Sequence, residues 1–258
     1  MNAVDGDALF HETCGSGPDL LVLHGGPGLD HTCYRPWLDP LADRARLVFV
    51  DLRGNGRSPP LPAEAPPYHT WIDDVERLRG SLGSSRVLLF GHSSGGFIAQ
   101  EYALRCPDAV AGLILCATAP VFDFGDVILR NATARATPTQ LDSLLRVFSG
   151  ALRTDDELRD AYLDLLPLYF HGTHSSIQRA AFERTRFRVA PFTYAVSFWF
   201  PRFDVRDRLR EIKVPTLILA GADDFMMPLA EGSRRIAAEI PAAELVVFDQ
   251  SGHCPFID

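Results

Sequence analysis

Six short runs of almost unbroken apolar residues recur along the chain, most of them ending in a turn that contains Gly, Asp or His. Leu20–Leu23 leads into HGGPG, Arg46–Val50 into DLRGNGRS, and Arg86–Phe90 into GHSSGG. Gly112–Cys116 leads into ATAP, Thr216–Ala220 into GADD, and Glu244–Phe248 into DQSGH. A strand with one face in water alternates apolar and polar residues, whereas a strand covered on both faces does not. Runs of this kind, separated by helical stretches, predict an α/β fold with a mostly parallel central sheet flanked by helices. The polar turns then gather at the carboxyl ends of the strands, where open α/β sheets carry their sites.

Composition narrows what such a fold can do. At 258 residues and 47% hydrophobic, the chain can bury a large core, which excludes a disordered protein. A net charge of −8 without a basic run argues against nucleic acid and anionic membranes as partners. Lys213 is the sole lysine, which reads as the codon bias of a GC-rich bacterium. No apolar run approaches the ~20 residues that span a bilayer. The opening MNAVDGDALF lacks the basic start and apolar centre of a signal peptide. Cys14, Cys33, Cys106, Cys116 and Cys254 are scattered and odd in number, as expected of reduced thiols in a cytoplasmic protein.

Between the strands, Thr70 can cap a helix with Asp73 three residues on, and Ile72, Val75, Leu78 and Leu82 line its inner face. Phe97–Arg105 and Leu229–Ile240 are two further helices, stopped by Pro107 and Pro241. Residues 59–67, PPLPAEAPP, read as a stiff connector. From about Phe122 to Phe203 the strand rhythm stops, and helical patterns run over Leu141–Phe148, Asp156–Leu166 and Ser176–Phe187. The last third of that stretch is dense in aromatic residues. We read 122–203 as a helical cap inserted into a core formed by 1–121 and 204–258.

Gly91-His92-Ser93-Ser94-Gly95 fits the pattern G-x-S-x-G between a buried strand and a helix. A sharp turn in that position strains the serine backbone, and the glycines relieve the crowding. The spacing makes Ser93 a candidate nucleophile at the positive end of the following helix. A serine hydroxyl needs a base, and the base needs an orienting acid. Asp224, with Asp223 as the alternative, lies in the turn after the fifth run, and His253 lies after the sixth. Acyl transfer also needs donors for the oxyanion, and the backbone N–H groups of Gly26 and Ser94 are the candidates. His24 reads as a structural residue holding the Gly26 loop. His171 and His174 have no third ligand nearby, so neither a metal nor a cofactor is expected.

These motifs resemble the α/β-hydrolase superfamily over essentially the whole chain outside the cap. HGGPG followed by DLRGNGRS and GHSSGG is most similar to the proline iminopeptidase branch. The resemblance implies a cofactor-free serine triad that removes an N-terminal residue from a short peptide, whose amine is held by cap carboxylates. It also implies that Asp51 and Arg53 are structural. The chain departs from that branch in carrying Ser94 where a tryptophan is usual, and in showing no Trp-Glu pairing in the cap. Glu157 and Glu183 are its only cap glutamates. The aromatic cap suits an apolar acyl group or ester.

Three readings follow: a peptidase acting on short peptides, an esterase or lactonase acting on small apolar esters, and a hydrolase-fold receptor that turns its ligand over slowly. Epoxide hydrolase and haloalkane dehalogenase chemistries both need a carboxylate where Ser93 stands. The chain stops at Asp258, where the resembled fold continues into a final helix. Either this chain is a shortened one or, if the helix is truly absent from the protein, an uncovered sheet face is there for a homo-oligomer to cover.

Overall fold

The computed structural model describes residues 8–62, 66–172 and 176–258. The strands are β1 His11–Cys14, β2 Asp19–Leu23, β3 Arg46–Val50, β4 Val87–His92, β5 Val110–Cys116, β6 Thr216–Gly221 and β7 Ala243–Phe248. They form one sheet in the order β1-β3-β2-β4-β5-β6-β7, with β1 antiparallel to β3 and the other pairings parallel. Each apolar run of the sequence is a parallel strand. In β2 all five residues are buried, which is the burial that an unbroken apolar run requires. The antiparallel β1 was not foreseen. It is four residues long, lies at the sheet edge, and has no apolar run to announce it.

The core helices are α1 Thr70–Ser81, α2 Ser94–Arg105 and α8 Ser233–Glu239. All three of their starts differ from the sequence expectation. Thr70 is the first helical residue of α1 and not its cap. Its hydroxyl donates to the Pro67 carbonyl (2.7 Å), while the Asp73 N–H reaches back to the His69 carbonyl (2.9 Å). The helix expected from Leu229 begins only at Ser233. Gly232 sits there in a non-helical conformation, pressed so close to the Thr118 carbonyl that a Cβ would come within 2.6 Å of it. By contrast, α2 starts three residues before Phe97, directly behind Ser93.

Between β5 and β6 the backbone forms α3 Gly125–Thr133, α4 Pro138–Phe148, α5 Asp155–Leu165, α6 Ser176–Glu183 and α7 Val189–Tyr194. The last of these runs on into a π-helical turn, Ala195–Trp199. Thr137 and Thr154 close capping boxes with Gln140 and Glu157, which fixes where α4 and α5 begin. An antiparallel bridge between Val121 and Asp204 brings the two ends of this stretch together.

Aromatic rings join the helical stretch to the core. Phe203 stacks on Phe97 of α2 at 4.2 Å, and Trp199 meets Trp71 of α1 edge-on at 4.9 Å. The parts of the proline-rich connector that are described, 59–62 and 66–67, have no regular secondary structure; residues 63–65 lie outside the described residues, as does His174. None of the helices among the described residues is long and apolar enough to cross a membrane.

Candidate active site

Ser93 stands between β4 and α2 with φ +53° and ψ −123°, a left-handed conformation rare for a residue with a side chain. Three hydrogen bonds hold the turn. Ser93 N–H donates to the Cys116 carbonyl (2.9 Å), and its own carbonyl accepts from Gly96 N–H (2.9 Å) and the Thr118 hydroxyl (2.7 Å). The flanking glycines are steric necessities. A Cβ on Gly91 would lie 2.7 Å from the Gly95 carbonyl, and one on Gly95 would lie 2.7 Å from the His24 carbonyl. The pattern G-x-S-x-G is therefore the sequence trace of a helix packed directly onto a strand end.

The loop after β2 lies against this turn. A Cβ on Gly25 would meet the Ser93 Cβ at 2.7 Å. Gly26 follows with φ +62°. His24 holds the loop from beneath: Leu52 N–H donates to His24 Nε2 (3.1 Å), which leaves Nδ1–H to donate to the Gly25 carbonyl (3.0 Å). Asn55, which the sequence reading did not single out, accepts from Gly28 N–H at 2.6 Å. Asp51 and Arg53 serve structure in the same region. His31 donates to the Asp51 carboxylate at 2.6 Å, and Arg53 grips Asp74 through two bonds of 2.8 and 2.9 Å. Burial alone would push the Asp51 carboxyl up, but the hydrogen bond and charge of His31 outweigh it and bring the group down to about 2.

His253 and Asp224 meet on the neighbouring turns. His253 Nδ1–H donates to Asp224 Oδ2 at 2.8 Å, both side chains being buried. Asp224 Oδ1 accepts from the backbone N–H groups of Met226 and Met227, each at 2.9 Å. The carboxylate is thus anchored on one oxygen and aims the other at the imidazole, so that in the neutral ring Nε2 carries no proton. Asp223 points elsewhere: its exposed carboxylate pairs with His171. Among the described residues, no group of His, Cys, Asp and Glu side chains is arranged to hold a metal ion.

Ser93, Ser94, Gly26 and His253 share the wall of one cavity of about 300 Å³. The rest of the wall is mostly apolar, with Phe122, Phe148, Tyr162, Phe192, Phe200 and Met227 among its residues, and it also includes His92 and Tyr34. Among the described residues, no Asp, Glu, Lys or Arg side chain lines it. Glu157 caps α5 and Glu183 pairs with Arg179 at 2.8 Å, so the two glutamates of the helical stretch are engaged at exposed positions. The aromatic residues divide between two duties: Phe182, Phe192 and Phe200 face the cavity, whereas Trp199 and Phe203 pack onto the core helices.

Residues 18–258 match the family model described as alpha/beta hydrolase fold. A proline iminopeptidase of Pestalotiopsis fici is 28% identical, aligned over 99% of this chain and 92% of that protein. A pimeloyl-[acyl-carrier protein] methyl ester esterase of Chromobacterium violaceum is 31% identical over 96% of this chain and 92% of its own length. Among solved structures, an esterase from Exiguobacterium antarcticum superposes with a TM-score of 0.77 at 26% identity, covering 97% of this chain and 90% of that one. With a seven-stranded, mostly parallel sheet, a strained serine turn behind its fourth strand and a family match that runs almost from end to end, the chain belongs to the α/β-hydrolase fold family and is a hydrolytic enzyme.

Proposed function

We propose that the protein is a serine hydrolase of small apolar esters, with Ser93 as nucleophile, His253 as base and Asp224 as the acid that orients it. Ser93 Oγ attacks the ester carbonyl carbon while His253 Nε2 takes the hydroxyl proton. The oxyanion is held by the backbone N–H groups of Gly26 and Ser94, a donor of this kind being worth about 3–4 kcal/mol. Collapse of the tetrahedral intermediate breaks the C–O bond, and His253 returns its proton to the departing alcohol. Water, deprotonated by the same nitrogen, then releases the acid from the acyl-enzyme and restores Ser93. Residues 122–203 act in this reading as a cap that excludes bulk water and supplies the acyl pocket.

The observation that carries the reading is the cavity wall: Ser93 and His253 open into an aromatic pocket that, among the described residues, has no ionic side chain. An ester of an apolar acid can shed its hydration there at little cost, whereas a protonated N-terminal amine has no counter-charge to replace its water. The second reading is a proline iminopeptidase, supported by relatives of that name at 28% and 27% identity. A side-by-side assay of short-chain aryl esters and proline arylamide, with Ser93→Ala as control, separates the two. Ester turnover that vanishes in Ser93→Ala, without arylamide turnover, is the expected result. Arylamide turnover as fast as ester turnover overturns the ester assignment, and activity that survives Ser93→Ala overturns the nucleophile.

A further inference from the structure

Two buried residues without a role in the bond-making steps tie the oxyanion loop to the backbone of the base. Tyr34 lies in a short 3₁₀ turn, His31–Tyr34, and is 1% exposed; His92 precedes the nucleophile and is 6% exposed. Gly25 N–H donates to the Tyr34 hydroxyl oxygen at 2.7 Å. That hydroxyl lies 2.8 Å from His92 Nδ1, and His92 Nε2 lies 2.8 Å from the carbonyl oxygen of His253.

Chemistry fixes the direction of every link. A carbonyl oxygen can only accept, so His92 Nε2 carries a proton. Burial, with the neighbouring His253 adding to it, pushes the His92 imidazole well below its ordinary value, so the ring is neutral and Nδ1 has no proton. Tyr34 must then donate to Nδ1, and its lone pair is free for Gly25 N–H. Burial also pushes the Tyr34 phenol well up, which keeps that proton in place. The links run one way only: Gly25 N–H to Tyr34, Tyr34 O–H to His92, His92 N–H to His253 C=O.

From this chain we infer that Tyr34 and His92 are positioning residues for hydrolysis, holding the backbone of the oxyanion loop and of the base in register across Ser93. The inference rests on the serine-hydrolase reading above. One end of the chain is Gly25, next to the proposed oxyanion donor Gly26. The other is the main-chain carbonyl of His253. Between them, the His92 ring packs 4.8 Å from the His253 ring. A neutral His92 matters there, because a second cation so close would oppose the imidazolium that His253 forms in the transition state. Loss of a link frees two elements that must keep their geometry to within a fraction of an ångström.

The test uses Tyr34→Phe, His92→Phe and the double variant, with His92→Gln as the conservative replacement that retains an N–H donor. Steady-state turnover of a short aryl ester is measured together with inhibition by an apolar arylboronic acid, which forms a tetrahedral adduct on serine. Each single variant is expected to lose roughly 10- to 100-fold in kcat with KM little changed. Boronate affinity should weaken in parallel, His92→Gln should recover part of the loss, and the double variant should be no worse than the poorer single one. Wild-type kcat in Tyr34→Phe, or losses that simply multiply, overturns the inference. Ser93→Ala in the same assay keeps the two ideas apart: if it is inactive while Tyr34→Phe is unaffected, only the positioning role fails. Should the variants not fold, ¹⁵N NMR of the wild-type His92 ring decides. A neutral Nε2–H tautomer is expected, and an Nδ1–H tautomer or a charged ring overturns the inference.

Discussion

His253 Nδ1 lies 2.8 Å from Asp224 Oδ2, and the other oxygen of that carboxylate is held by two backbone N–H groups at 2.9 Å. In Asp224→Asn the amide can present an N–H to the imidazole, which turns the ring to the wrong tautomer. A fall in kcat of roughly 10⁴-fold is expected, with the fold intact by circular dichroism. Asp223→Asn, whose exposed side chain pairs with His171, should remain close to wild type. The reverse ranking in an ester assay would reassign the acid.

Gly95 has no room for a side chain. Its Cβ would stand 2.7 Å from the His24 carbonyl, which belongs to the backbone at the end of β2 and cannot swing aside. Gly95→Ala should lower stability by about 1–3 kcal/mol or more in chemical denaturation, because α2 must shift off the sheet. It should also reduce turnover in whatever fraction folds, since Ser93 moves with α2.

Phe122 and Phe148 stack at 6.3 Å within the cavity wall, and Phe200 approaches Phe122 at 4.9 Å. Phe148→Ala removes one ring and lengthens the apolar pocket. The ratio of kcat/KM for hexanoyl over acetyl aryl esters should rise roughly tenfold, since each methylene accommodated is worth about 1–3 kcal/mol. An unchanged ratio would place the acyl group in another part of the cavity.

The Asp51 carboxyl is held down at about 2, against an ordinary 3.8, by His31 overcoming the penalty of burial. Because its folded value is the lower one, the charged form contributes stability that is fully present above pH 3.8 and is lost as pH falls towards 2. The contribution at neutral pH is about 2 kcal/mol. Asp51→Asn should therefore be less stable at pH 7 and show a flatter loss of stability between these two values. Thermal melts across that window measure both.

Glu101 behaves in the opposite sense. Burial raises its carboxyl above the ordinary value despite a hydrogen bond from Tyr68 (2.5 Å), and its second oxygen is buried without a partner among the described residues. A raised folded value means the stability it confers is present in acid and lost as pH rises through that value. Glu101→Gln keeps an acceptor for Tyr68 and removes the buried charge. Its melting temperature should exceed that of the wild type at pH 8, with the difference closing at low pH.

Strands β2 to β6 were legible as apolar runs because burial on both faces leaves little room for polar alternation, and β7 was legible from its run alone, since none of its residues is fully buried. Edge strand β1 was not, since its four residues carry no such run. Helix interiors were read well, but the starts of α1 and α8 were decided elsewhere, by Pro67 and by the approach of Gly232 to Thr118. Ser93, Asp224 and His253 could be picked out because each occupies a turn whose place in the fold follows from the strand before it. Nothing local announces Tyr34, Asn55 or the relay through His92. Their partners are 9, 27, 58 and 161 residues away in the chain.

By itself, the order of apolar runs and glycine turns determined the sheet and the carboxyl-end location of the polar turns, because those features depend on backbone sterics and on burial along single segments. Only the tertiary structure decided which aspartate meets His253, which aromatic rings face the cavity and how the Gly25–Gly26 loop is tied to the His253 backbone. Those outcomes depend on distances between segments far apart in sequence, and a hydrogen bond is made or lost within about 0.5 Å of them.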